Sequence, residues 1–236
     1  MSDDQEIKQQ ALARTPLFAA LPQSDLDHLG QMAKRRQLAL GQSLFVKGDP
    51  GDTLYVVVSG VVKISMTSPG GSEKVLNLIG PGQMFGEIAL LDGGERTADA
   101  IAVEPSELVA IGRRDLFDFF DKNPRGWTRM LAACCERIRW ISEMFEDATF
   151  LELPARLAKR LLLLSQSFGQ KGPSGEVLIN LRLSQQDLAN QMSVTRESIN
   201  KVLNSWDKQE IIHLQRGRIT LLAPSALERI IKADRS

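Results

Sequence analysis

Between positions 37 and 111 the apolar residues fall into short runs, at 43–46, 53–59, 61–66, 74–79, 98–103 and 107–111, with glycine and proline between them. Runs this brief and this closely spaced predict the strands of a small β-barrel or roll. On either side the spacing lengthens. Ile7, Leu12, Leu17, Phe18 and Leu21, punctuated by Pro16 and Pro22, predict short helices over 5–34, with Ser24 capping a helix at 25–33. Leu116, Phe117, Phe119 and Phe120 mark another at 113–121. After Asn123 and Pro124, residues 127–150 contain neither proline nor glycine, and Trp127, Met130, Leu131, Cys134, Ile138, Ile141, Phe145 and Ala148 recur at helical steps. The pattern predicts one long helix with a continuous apolar stripe, covered either by its own chain or by a partner helix.

Pro154 drives the residue before it out of the helical region, so 151–154 is the expected hinge. Beyond it the pattern reads as a leucine-rich helix at 155–168, a loop at 169–175, a strand at 177–181, two helices within 185–206 and a hairpin at 211–222. The expected fold class is α+β: a β-roll with N-terminal helices over 1–126, the long helix over 127–150, the hinge, and a mainly helical domain over 155–236.

Composition narrows the function. No run of eighteen apolar residues exists, which excludes a membrane-spanning helix, and the acidic, polar stretch 1–10 lacks the basic start and apolar core of a signal peptide, so a cytoplasmic protein is expected. The only cysteines, Cys134 and Cys135, are adjacent, and His28 and His213 lie far apart, which predicts no metal, haem or iron–sulfur site. The formal net charge of zero hides a division: residues 1–154 hold 16 Lys+Arg against 22 Asp+Glu, and the remainder 13 against 7. An acidic front and a basic back point to a back that meets a polyanion.

Two stretches carry candidate chemistry. In 80–98, glycines surround one acid, Glu87, and an Arg96–Thr97 pair, at a spacing that predicts a loop. Glycine lets the main chain approach a ligand, backbone amides cradle an anion, and arginine supplies a fork of donors for phosphate. A carboxylate would repel phosphate but can accept from a sugar hydroxyl, so the set suits a nucleotide; the alternative is an exposed turn in which Glu87 and Arg96 pair with each other. Phe85-Gly86-Glu87-Ile88-Ala89-Leu90-Leu91 followed by Arg96-Thr97-Ala98 resembles the phosphate-binding cassette of cyclic-nucleotide-binding domains, and 48–60 resembles their turn-and-strand signature. The resemblance implies a nucleotide site made of Gly86, Glu87, Ile88, Ala89, Arg96 and Thr97, with Gly86 and Glu87 at the phosphate and ribose 2′-hydroxyl and Arg96 on the cyclic phosphate.

In 185–206, Leu188, Met192, Val194, Ile199 and Val202 occupy the apolar positions of two crossed helices, Ala189 stands where they approach, Ser184 and Thr195 are their caps, and Ser193 replaces the usual turn glycine. The second helix offers Arg196, Glu197, Asn200 and Lys201, residue types that suit base edges in a major groove; a solvated face with a Glu197–Lys201 pair is the alternative. The hairpin would place Arg216 and Arg218 against phosphates. The stretch resembles the winged helix-turn-helix of the CRP/FNR family of transcription regulators, and the resemblance covers all but the first ten or so residues.

That resemblance implies a homodimer formed through the long helix, near-palindromic double-stranded promoter DNA, RNA polymerase as a further partner, a cyclic nucleotide as allosteric ligand and no enzymatic activity. Arg196 and Glu197 map onto the half-site readers, while Lys201 stands where cAMP-responsive members have arginine. Ile141 and Ser142 fall where those members carry a Thr-Ser pair that bonds adenine. Ile141 lacks that hydroxyl, and a threonine at the Thr97 position bonds guanine in many cGMP-selective domains, so the pair inclines the expectation to cGMP, with cAMP as the alternative. A CRP/FNR-like DNA binder with no nucleotide ligand is the competing reading. A nucleotide hydrolase or transferase lacks the metal ligands, activated nucleophile or paired carboxylates it would need.

Overall fold

The computed structural model describes residues 3–173, 175–182, 184–215 and 217–234. The chain divides into two compact units, Met1–Arg137 and Ile138–Ser236. The first opens with α1 (Asp3–Arg14) and α2 (Gln23–Met32), followed by β1 (Lys34–Leu38), β2 (Ser43–Phe45), β3 (Thr53–Ser59), β4 (Val62–Thr67), β5 (Glu73–Ile79), β6 (Met84–Phe85), α3 (Glu87–Asp92), β7 (Asp99–Ala102), β8 (Ser106–Gly112) and α4 (Arg113–Lys122). Helix α5 (Arg125–Phe150) begins in this unit and runs on into the second.

The strands form two antiparallel sheets, ordered β1-β8-β3-β6 and β2-β7-β4-β5. Leu38, Val57, Val62, Ile79, Phe85, Ala100, Ala102 and Leu108 form one buried cluster of this β-roll. A second cluster joins Leu54, Val56, Val109 and Ile111 to Leu12, Phe18, Leu29, Leu116, Phe119, Phe120 and Met130 from the helices. Strands β3 and β8 contribute to both clusters, which explains why their sequences are apolar on both faces.

Several local expectations are corrected. Strand β1 reads Lys-Arg-Arg-Gln-Leu and was not anticipated; it is an edge strand, where charge is tolerated, and Arg35 pairs with Glu107 of β8. Residues 87–92 form a helix where a loop was expected, because Gly86 (φ 86°) and Gly93 (φ 73°) supply left-handed turns at both of its ends. Ser24 does not cap α2; the helix starts at Gln23 after Pro22. Trp127 and Met130 leave the stripe of α5 for the core of their own chain, Trp127 edge-on to Phe117 at 4.8 Å and to Phe120 at 5.1 Å.

The second unit continues α5 with α6 (Leu153–Phe168), β9 (Gly169–Lys171), β10 (Val177–Ile179), α7 (Gln185–Met192), α8 (Arg196–Lys208), β11 (Ile212–Gln215), β12 (Arg218–Leu221) and α9 (Pro224–Asp234). Its sheet has the order β11-β12-β10-β9. Strand β9 lies where a loop was expected; its side chains are all exposed, so it carries no apolar signature. The break between α5 and α6 falls at 151–152, inside the expected 151–154, but Pro154 does not cause it: the proline sits in the first turn of α6, where its missing N–H costs nothing.

Candidate functional site

In the first unit the two glycine-bearing stretches converge on one side chain. Arg96 is 5% exposed; Nη1 donates to Gly86 O and Nη2 to Thr53 O, both at 3.0 Å. Its guanidinium carbon lies 4.3 Å from the ring centre of Phe45 and 5.6 Å from that of Tyr55, a cation–π setting completed by Phe85 stacked on Tyr55. The main chain is fastened as well, Arg96 N–H to Asp49 O at 2.7 Å and Gly48 N–H to Arg96 O at 2.9 Å. A Cβ on Gly51 would stand 2.3 Å from Ala89 Cβ and 3.0 Å from Arg96 Nε, so only glycine lets this turn close over the arginine. Burial pushes the Arg96 pKa below its ordinary value, opposed by Tyr55, Asp52, Glu87 and Asp49. Its Nε–H is buried without an acceptor.

Glu87, 6% exposed, opens α3 and pairs with Arg137 of α5 at 3.5 Å. Gly86 precedes it with φ 86°, and the first helical bond, Leu90 N–H to Gly86 O, leaves the amides of Glu87, Ile88 and Ala89 outside the ladder of α3. Ala89 is buried, whereas Ile88 and Thr97 are exposed. The exposed-turn alternative therefore fails: Glu87 and Arg96 are both buried, and the partners of each lie elsewhere. Ile141 and Ser142 lie on the part of α5 that belongs to the second unit, both exposed, with Ser142 Oγ donating to Ile138 O at 3.0 Å.

In the second unit Ser184 caps α7 through a capping box, its Oγ accepting from Asp187 N–H at 2.9 Å while Asp187 accepts from Ser184 N–H at 3.3 Å. Ser193 takes the left-handed conformation (φ 55°) and closes the turn that a glycine would otherwise serve. Thr195 then caps α8, accepting from Ser198 N–H at 3.2 Å. Arg196, Glu197 and Lys201 are exposed on the first turns of α8 above a buried Ile199, Leu203 and Trp206. Asn200 departs from that face: it is half-buried and its Oδ1 is closed off without a donor. Arg218 is exposed on β12, beside the left-handed Gly217, and Arg216 lies outside the described residues.

Sequence reasoning missed the side chains that hold these groups. Arg137 is a cation inside the apolar stripe, three residues after Cys134 and four before Ile141, a break in the pattern that could have marked it. Arg156 and Arg160, one turn apart on α6, donate to Met192 O at 3.1 Å and to Gln191 Oε1 at 2.7 Å, so they tie α6 to the last turn of α7. Burial alone lowers the Arg160 pKa to about 10. Asp207 of α8 accepts from Leu214 N–H at 3.0 Å and fixes β11 to that helix. Among the described residues no cluster of three metal-ligating side chains occurs, and no helix is long and apolar enough to cross a membrane.

Residues 35–123 match the family model of the cyclic nucleotide-binding domain, and residues 155–230 that of the Crp-like helix-turn-helix domain. The chain is 32% identical over 225 residues to the CRP-like cAMP-activated global transcriptional regulator of Mycobacterium tuberculosis, an alignment spanning 95% of this chain and 98% of that protein. It is 34% identical over 217 residues to the cyclic AMP receptor protein of Thermus thermophilus, spanning 92% and 96%. Among solved structures it resembles the catabolite activator protein of Thermus thermophilus with a TM-score of 0.54 at 32% identity, over 93% of this chain and 99% of that one.

Proposed function

The chain belongs to the CRP/FNR family of transcription regulators, and on that premise we propose that it is a homodimer that binds a cyclic nucleotide in its first unit and promoter DNA with its second. Members of this family are transcription factors and not enzymes. The observation that carries the ligand reading is the Nε–H of Arg96, a buried cationic donor with no acceptor, next to the opening turn of α3. A buried charged donor left unmet costs more than an ordinary lost hydrogen bond, and a phosphate diester is the acceptor that these residues suit. When bound, the nucleotide supplies a negative charge and a ribose hydroxyl. Arg96 and the amides of Ile88 and Ala89 meet the charge, Gly86 keeps the backbone clear of it, and Glu87, oriented by Arg137, accepts from the hydroxyl.

The dimer reading rests on α5. Leu131 (65% exposed), Ile138 (64%), Ile141 (53%) and Phe145 (74%) continue the apolar spacing and are left largely uncovered by their own chain, a surface that a second copy of the helix would remove from water. A twofold dimer reads a near-palindrome whose half-sites are about 34 Å apart, one helical turn. Arg196, Glu197 and Lys201, with Asn200 at the margin, face bases in this reading, and Arg216 and Arg218 face phosphates. The hydroxyls of Ser184 and Thr195 serve chiefly as caps. RNA polymerase is retained as the partner that a promoter-bound regulator meets.

For the base, Thr97 and Ile141 incline to cGMP on sequence grounds, whereas both relatives above are named for cAMP. We take cAMP as the effector, since similarity along nearly the whole chain outweighs two positions. Calorimetry with cAMP and cGMP on wild type and Thr97→Ala tests this. The expected result is tighter binding of cAMP, with the ratio unchanged in the variant. Tighter cGMP binding that is lost in Thr97→Ala would restore the other base, and no binding of either would remove the nucleotide reading.

A further inference from the structure

Helix α3 has only six residues, too few to hold helical order unaided, so its order has to come from what grips its ends. At its head Arg96 Nη1 bonds Gly86 O. At its tail a second arginine does the equivalent: Arg113, the first residue of α4, donates from Nη2 to Leu91 O at 3.2 Å. A cation at this position suits the orphan carbonyls and the partial negative charge of a helix C-terminus. The Arg113 guanidinium is itself held, its central carbon 5.0 Å from the ring centre of Phe117. Gly93 makes the approach possible, since a Cβ there would lie 2.5 Å from Arg113 Nη1. The two arginines are also tied to successive carbonyls where the chain enters β3, Arg113 N–H to Asp52 O at 2.6 Å and Arg96 Nη2 to Thr53 O at 3.0 Å.

We propose that Arg113 is a positioning residue of the nucleotide pocket: by pinning the tail of α3 it fixes where Glu87 and the opening amides of that helix stand, without touching the ligand. This rests on the nucleotide reading above. Two readouts on the full-length protein separate the two ideas. Arg113→Met keeps a side chain of similar length and removes the charge and the donors, while Arg113→Lys keeps a cationic donor group. By calorimetry, Arg113→Met should weaken cAMP binding about tenfold, the worth of one hydrogen bond to a charged group, and Arg113→Lys should restore most of it. By hydrogen exchange without ligand, the bonded amides of α3 at 90–93 should exchange faster in Arg113→Met while those of β3 and β8 keep their protection. Gly93→Ala should reproduce the affinity loss in wild type and cost less in the Arg113→Met background. Wild-type cAMP affinity in Arg113→Met, or unchanged exchange at 90–93, would overturn the proposal. If wild type binds neither cAMP nor cGMP, the nucleotide reading falls, and exchange at 90–93 alone decides whether Arg113 holds α3.

Discussion

At the level of single residues, the proposed nucleotide site is a set of charges kept in register by the absence of side chains. Arg96 lies on Phe45 and is bonded to two carbonyls, yet the approach depends on Gly51, which has no Cβ to strike Ala89. Cys134 illustrates the electrostatics of the same region. Burial pushes its thiol above the ordinary range, and the negative charge of Glu87 adds to the effect. A raised pKa keeps the thiol protonated to higher pH, so the reactive thiolate appears later. In a Cys135→Ser variant, iodoacetamide at about pH 8 should label Cys134 more slowly than an unstructured cysteine peptide, and the gap should narrow as pH rises past the ordinary thiol value of about 8.5. Equal rates at pH 8 would contradict this. Gly86, Glu87 and Arg96 were singled out from the sequence by the resemblance of 85–91 and 96–98 to a known cassette, since their residue types alone left an exposed turn open. Arg137, Gly51 and Arg113 were not, because their importance arises only when distant segments meet.

Among the elements, those with a strong period were readable and those held by context were not. The stripe of α5 and the crossed helices α7 and α8 follow from apolar spacing and caps. Strand β1, strand β9 and helix α3 have no such signal: two are short and mostly exposed strands, and the third is created by a pair of left-handed glycines. In the proposed dimer the seam is the part of the α5 stripe from Leu131 onward, since Trp127 and Met130 already face the core of their own unit. Phe145→Glu places a charge at a site 74% exposed in the single chain, so it should leave the fold intact while breaking the seam. Sedimentation should then show monomers at concentrations where wild type is dimeric, with unchanged far-ultraviolet circular dichroism. A dimer of wild-type stability in the variant would mean that the stripe is covered in some other way.

For the molecule as a whole, the division of charge matches the proposed division of labour: the acidic half holds the candidate nucleotide site and the basic half holds α8 and the β11–β12 hairpin. Within the basic half, base readers and phosphate contacts should respond differently. Arg196→Ala should cost about 1–3 kcal/mol on a cognate duplex and relax preference at one base pair. Arg218→Ala should weaken cognate and random DNA alike and lower the salt dependence by about one phosphate contact. Equal losses on both duplexes for Arg196→Ala would remove it from the readers. The central claim is that a nucleotide held by Arg96 controls this DNA binding, and a ligand can shift an equilibrium only by its differential affinity for the two states. The direct measurement is the affinity of a near-palindromic duplex, by fluorescence anisotropy, for wild type and Arg96→Leu with and without saturating cAMP. The account predicts that cAMP changes the wild-type affinity by about 5–150-fold, that DNA changes cAMP affinity by the same factor, and that the variant stays at its ligand-free value. A wild type indifferent to cAMP and cGMP, or an Arg96→Leu variant that responds as wild type does, would contradict it.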